Sequence, residues 1–116
     1  MPHHFSETVN GFPYINVVPP YELVGEILRC VQTASRVNEL LTLTDDVISG
    51  RSSVATHDQD YAQVSFNGAT KNAHIWFDDL SLGKEVECDI TLDSFREITA
   101  DWLDYLKKRE ELRMQN

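Results

Sequence analysis

The sequence predicts an α+β fold: a small antiparallel β-meander packed against an N-terminal helical region and a C-terminal amphipathic helix. Three observations carry this. Apolar residues recur every three or four positions from residue 21 to about 44, they alternate from 62 to 91, and the helical spacing returns from 92 to 106. The chain has 116 residues, the length of one domain spanning 1–116. A hydrophobic fraction of 41% and a charged fraction of 25% are those of a globular chain that can bury a core.

The elements follow in order. Residues 1 to 19 read as an irregular or extended lead-in punctuated by Gly11, Pro13 and Pro19, with Tyr14 to Val18 a short extended segment. Pro20 suits the first turn of a helix, where its missing N–H is not needed. Val24, Ile27, Leu28, Val31, Ala34, Val37 and Leu41 then trace an apolar helical stripe. A break near Thr33-Ala34-Ser35, with Ser35 as N-cap, stays open as the alternative to one long helix, and Gly50 is the expected stop. Residues 49 to 60 are polar and aperiodic, the longest loop candidate. Ala62, Val64 and Phe66 define a first strand, Ala73, Ile75 and Phe77 a second, and Val86, Cys88 and Ile90 a third, joined by turns at Asn67-Gly68 and Asp79 to Lys84. The final helix is capped by Thr91 or Asp93 and buries Leu92, Phe95, Ile98, Trp102, Tyr105 and Leu106. Acids early and Lys107, Lys108 and Arg109 late complement its dipole, and the tail from Glu110 is expected to fray.

A net charge of −9 argues against nucleic acid as a partner, because phosphate backbones and acidic surfaces repel. The same repulsion disfavours anionic membranes, and no apolar run approaches the roughly 20 residues needed to span a bilayer. Met1 to Glu7 has neither the basic nor the apolar run of a secretory signal, so a cytoplasmic location is expected. Cys30 and Cys88 read as reduced core thiols, since a small secreted domain relying on disulfides usually carries more.

Catalytic signatures are missing: there is no GxSxG, P-loop, HExxH or GxGxxG. A nucleophile pair of His74 with Cys30 or Cys88 needs an accessible thiol, and both thiols sit at positions that read as apolar, so no enzyme is expected. His57-Asp58-Gln59-Asp60 and His3-His4 lack zinc spacing and the glycine and distal glutamate of a calcium loop. They read as a solvated loop and a disordered terminus; no metal and no cofactor is expected.

What stands out is acidic. Between Glu85 and Asp104 lie seven acids against the single base Arg96, two-thirds of the chain's net charge. Glu85, Glu87 and Asp89 share one strand parity; Asp93, Glu97, Asp101 and Asp104 share one helical face. Asp78 and Asp79 close the preceding strand beside them. Such a run is often only a solubilising face. Like charges one helical turn apart nevertheless cost stability, and their repetition points to a partner of opposite sign. Trp76, on the parity opposite Ile75 and Phe77, is the candidate exposed anchor, whereas Phe77, Trp102 and Tyr105 read as core.

The run His74-Ile75-Trp76-Phe77-Asp78-Asp79, then Asp89 to Phe95, then Ile98, Trp102, Tyr105 and Leu106, resembles small bacterial immunity proteins. These neutralise secreted toxins of the contact-dependent inhibition and polymorphic-toxin type. The resemblance covers about residues 61 to 106. It implies a cytoplasmic, non-enzymatic antitoxin-like inhibitor that binds its cognate toxin, often a nuclease, by protein–protein interaction; the acidic stripe adds the expectation that this toxin domain is basic. Each such pair uses its own surface, so the resemblance assigns no binding residues. The expected interface is therefore the one the charges mark: Trp76, Asp78, Asp79, Glu85, Glu87, Asp89, Asp93, Glu97, Asp101 and Asp104. The alternative is an intracellular adaptor or chaperone-like protein whose acidic face serves solubility alone.

Overall fold

The computed structural model describes residues 3–114. Two strands, β1 (His3–Glu7) and β2 (Pro13–Val17), form an antiparallel ribbon. Helices α1 (Glu22–Arg29) and α2 (Ala34–Ile48) follow, then β3 (Val54–Gln59), β4 (Ala62–Asn67), β5 (Asn72–Asp79) and β6 (Lys84–Thr91), and finally α3 (Leu92–Met114). The last four strands make an antiparallel sheet in chain order. The architecture is α+β, as the periodicities predict. No helix among the described residues is long and apolar enough to cross a membrane.

Several elements depart from expectation, each for a local reason. The lead-in is a hairpin, not an irregular segment. Its turn is closed by Gly11 N–H donating to Thr8 O and Thr8 N–H to Phe12 O, with Gly11 at φ 80°. The ribbon's sequence gives little sign of pairing because its strands are short and its buried residues, Pro13, Ile15 and Val17, lie on β2 alone. Pro20 precedes the first helix instead of opening it; Tyr21 N–H donates to Val18 O, and α1 begins at Glu22. The helical region divides into two helices. Thr33, not Ser35, caps the second, its hydroxyl accepting from Arg36 N–H at 3.3 Å. Gly50, at φ 84°, stops α2 as expected.

The polar stretch 49–60 is not a loop throughout: residues 54–59 form β3, so the meander has four strands. Its residues escape the period-two reading because β3 is an edge strand whose inward positions are Ala55, His57 and Gln59. The ladder to β4 supplies the order that side-chain hydrophobicity does not. Thr91 caps α3 through a 3.2 Å bond from Ser94 N–H. That helix continues past Glu110 to Met114, and three contacts hold it one turn before its end. Arg109 pairs with Glu7 and donates to Gly11 O, and the Glu110 carboxylate accepts from Ala34 N–H. Residues 115–116 lie outside the described residues.

Helices cover one face of the sheet. Val64, Phe66, Ala73, Ile75 and Ile90 meet Val37, Leu40, Phe95, Ile98 and Trp102 in a single core. The ribbon packs on α1 and α3. Gly25 allows the first approach, since a Cβ there would stand 3.2 Å from Ile15 O. Phe5, stacked on Tyr105 at 4.7 Å between ring centroids, makes the second. At the junction sits Trp102, fully buried, its indole N–H donating to Val31 O at 2.8 Å. Val31 lies in the linker between α1 and α2, so one side chain fastens α3 to the turn that orients both earlier helices.

Trp102→Ala should therefore lower stability by about 3–5 kcal/mol. Trp102→Phe, which leaves the Val31 carbonyl unpaired, should cost about 1–3 kcal/mol. Thr99 carries a buried hydroxyl without a hydrogen-bond partner. Thr99→Val should accordingly raise stability by about 1 kcal/mol. Urea unfolding followed by far-UV circular dichroism measures all three; a destabilised Thr99→Val would show that the hydroxyl is solvated or bonded in solution.

Candidate functional site

The meander alternates strictly, and with helices on one face the other is left uncovered. That outer face carries Gln63 and Ser65 of β4, His74, Trp76 and Asp78 of β5, and Glu85, Glu87 and Asp89 of β6. Register decides how they meet. Trp76 stands opposite Glu87, and His74 opposite Asp89. His74 Nδ1 lies 2.8 Å from Asp89 Oδ1 and its Nε2 3.1 Å from Glu87 Oε1. Both ring nitrogens thus face carboxylates, an arrangement that suits the doubly protonated imidazolium. The hydrogen bonds to Asp89 and then to Glu87 raise the His74 pKa above its ordinary value. One strand step further, Asp78 stands directly opposite Glu85. Two carboxylates facing each other across a ladder are destabilising; the next pair in the register is Asp79 with Lys84.

Beside the face, at the end where β5 turns into β6, a groove of about 770 Å³ opens between the sheet and α1. Its walls combine two chemistries. Leu23, Tyr61, Phe77, Leu80, Leu82 and Val86 supply apolar surface; Glu22, Glu26, Asp60, Asp78, Asp79 and Glu87 supply carboxylates; among the described residues no Lys, Arg or His lines it. Asp78 and Glu87 join the groove to the outer face. The turn at its lip is fixed by Asp79, whose Oδ1 accepts from the Ser81 hydroxyl at 2.6 Å and from the N–H groups of Ser81 and Leu82. These bonds, the Ser81 hydroxyl foremost, hold the Asp79 carboxyl below its usual range. Leu80 and Leu82 project from that turn 63% and 62% exposed, and Tyr61 from the neighbouring β3–β4 turn is 59% exposed.

The sequence-marked acids divide between two places. Asp78, Asp79, Glu85, Glu87, Asp89 and Trp76 gather on the outer face and the adjoining groove. Trp76 is half-buried on that face. Asp93, Glu97, Asp101 and Asp104 are exposed on α3, which packs against the opposite side of the sheet. The stripe is thus two patches separated by the sheet's thickness. Within the second, Asp101 already engages His3, 3.0 Å away, so the terminal histidines belong partly to an ordered strand.

Other expectations change with the structure. Cys30 is exposed at the end of α1, because the apolar stripe rotates past it, and Cys88 is half-buried. Both line the groove. Burial pushes the Cys88 thiol up to about 11, and burial followed by the Glu26 charge raises Cys30, so neither is a ready thiolate. Phe77 and Tyr105 are half-buried instead of core; Phe77 forms the groove floor, and Tyr105 donates to Ser6 O. His57 faces inward and pairs with Gln59 at 2.9 Å; burial, then the Arg36 charge, lowers its pKa. Among the described residues no group of three or more His, Cys, Asp or Glu converges on a possible metal position.

Sequence reasoning passed over Tyr61, Leu80, Leu82, Glu22 and Glu26. Leu80 and Leu82 carry a readable signal, two large apolar residues inside a turn with no strand or helix to bury them. The contribution of α1 has none, since only the fold brings residues 22–30 against 77–88. Comparison with known protein families, characterised proteins and solved structures finds no match.

The two half-exposed histidines should titrate on opposite sides of the free imidazole value of about 6.5. His74, favoured as the cation, adds stability that is complete below that value and is lost as pH rises through its raised pKa. His57, favoured neutral, adds stability present above that value and lost as pH falls through its lowered pKa. Proton–nitrogen NMR of the imidazoles should resolve both, and His74→Gln should remove the higher titration alone.

Proposed function

We propose that this protein is an immunity protein, a cytoplasmic inhibitor that binds and neutralises a basic toxin domain, most simply a nuclease. The observation that carries the reading is the outer face of the sheet: it is uncovered, predominantly acidic, and holds Asp78 directly opposite Glu85 beside the half-buried Trp76. A fold gains nothing from opposed carboxylates at this register, whereas a cationic partner would turn their repulsion into attraction. A nuclease cleft fits because it must present positive charge to its own substrate. Covering it with carboxylates would exclude nucleic acid both sterically and by charge. The strand–turn–strand–helix run with its acidic turn and aromatic helix supports the same reading.

The interface is narrower than the acid count suggests. The outer face and groove form one surface, and the α3 acids lie elsewhere, so the former should dominate binding. The test is co-expression with a nuclease-toxin domain, sought first among the genes adjacent to this chain's. The protein should restore growth, and the Asp78→Lys/Glu85→Lys variant should lose protection and weaken binding at least about a hundredfold, of the order seen for charge pairs at interfaces. Reversing Asp93 and Asp104 should change affinity by less than about tenfold, as for charges at a rim. Asp78→Asn should stabilise the free protein by about 0.2–1 kcal/mol while weakening the complex. Failure of the wild-type protein to protect would overturn the reading.

A further inference from the structure

We infer that the groove between α1 and the β5–β6 turn is the docking site for a cationic segment of the partner that presents a bulky apolar side chain flanked by Lys or Arg. This rests on the reading of the partner as a basic protein and adds where the contact is anchored and by what chemistry. Three independent observations converge on it.

Charge complementarity is the first. Six carboxylates line the groove, with no cationic side chain beside them among the described residues. Of these, Glu26 pairs with Arg29 at 2.8 Å and Asp79 is occupied by its own turn. Glu87 is engaged by His74 at 3.1 Å, so Glu22, Asp60 and Asp78 are left to rim an apolar floor of Leu23, Phe77 and Val86. An anionic or neutral apolar ligand would meet repulsion or gain nothing from that rim.

The second is the lip. Leu80, Leu82 and Tyr61, three of the large apolar side chains exposed on this molecule, come from two different turns yet border one groove. Asp78 N–H, at the end of β5, donates to Tyr61 O at 2.8 Å and ties the β3–β4 turn to the strand that leads into the other. Apolar side chains grouped around a concave, charged rim are the composition of a protein-binding site.

Backbone strain is the third. Gln59 pairs with Ala62, so Asp60 and Tyr61 form a two-residue hairpin turn, and Tyr61 has φ 65°. Turns of this kind favour Gly or Asn where φ is positive. A bulky aromatic there is a local cost, of the sort retained where a side chain is needed at a site. Tyr61 contributes that side chain to the groove.

The occupant is a partner's segment in preference to a second copy of this chain, because two copies would bring the same six carboxylates face to face. The probe is a capped synthetic peptide, Gly-Arg-Lys-Leu-Trp-Lys-Arg-Gly, beside a control with Leu and Trp replaced by Ser at equal charge. Titration into the nitrogen-15-labelled protein should show the apolar peptide binding at least about tenfold more tightly, with shifts centred on Leu23, Tyr61, Leu80 and Leu82. Leu80→Ser/Leu82→Ser should abolish that difference while leaving the control unchanged; both leucines are exposed, so the fold should persist. Tyr61→Gly should also reduce it, without loss of thermal stability. Equal binding of the two peptides, shifts centred elsewhere, or concentration-dependent dimerisation lost in the leucine variant would overturn the assignment.

Toxin neutralisation separates this inference from the reading beneath it. Wild-type protection retained in full by Leu80→Ser/Leu82→Ser refutes the groove and leaves the immunity function standing. Peptide discrimination without any protection supports the groove and refutes the toxin reading.

Discussion

Trp102 is the constraint on which the rest of the structure depends. Its ring fills the centre of the core, and its N–H satisfies the Val31 carbonyl, which lies where the chain has left α1 and not yet entered α2. A carbonyl in such a linker has no ladder partner, and burying it unpaired would cost more than most single contacts return. By answering it from α3, some seventy residues later, the indole fixes α1 relative to the sheet. The position of α1 in turn decides whether a groove exists. Phe5 and Tyr105, stacked at the edge of the same cluster, attach the N-terminal ribbon to α3.

Helices cover one face of the four-stranded sheet and leave the other to solvent, so charge is sorted by pleat. Apart from the terminal pair Asp79 and Lys84, the inward positions of β4, β5 and β6 are apolar, and the acids of β6 all face out. His74 bridges two of those acids, whereas Asp78 and Glu85 stand directly opposite each other. Toward the end of the sheet, Asp78, Asp79 and Glu87 share a groove with Glu22 and Glu26 of α1. Carboxylates and exposed apolar side chains thereby stand at adjoining places. Steering and anchoring have different physical requirements, long-range charge for the first and desolvated surface for the second, and this end of the molecule supplies both.

Some conflicts between local sequence and fold sit close to this region. Tyr61 occupies a left-handed conformation, Asp78 faces Glu85, and Leu80 and Leu82 lie in a solvent-exposed turn. Each is unfavourable in isolation, and all three border one surface. Thr99 is a different case: its unpaired hydroxyl is buried within α3. Lys71, the other left-handed residue that is not glycine, lies away from the groove; the grouping of the remaining three accords with the binding role proposed for this surface.

Alternation and helical spacing by themselves determined β4, β5, β6 and α3, because an amphipathic element advertises its buried side at its own period. The same alternation places Glu85, Glu87 and Asp89 on the outward side of β6 and Trp76 on that of β5. It failed for β3, whose inward side is Ala55, His57 and Gln59, and for the β1–β2 ribbon, whose pairing is made by backbone hydrogen bonds between two short segments. Only the tertiary structure decided that the acids of α3 stand apart from those of β6, since helical and strand periodicities say which residues share a face but not which side of a sheet a helix covers. It alone brought Glu22 and Glu26 to the turn at Leu80 and exposed Cys30. Such meetings are set by the packing angle of α1 and its distant anchor, Trp102, and a local sequence period carries no information about either.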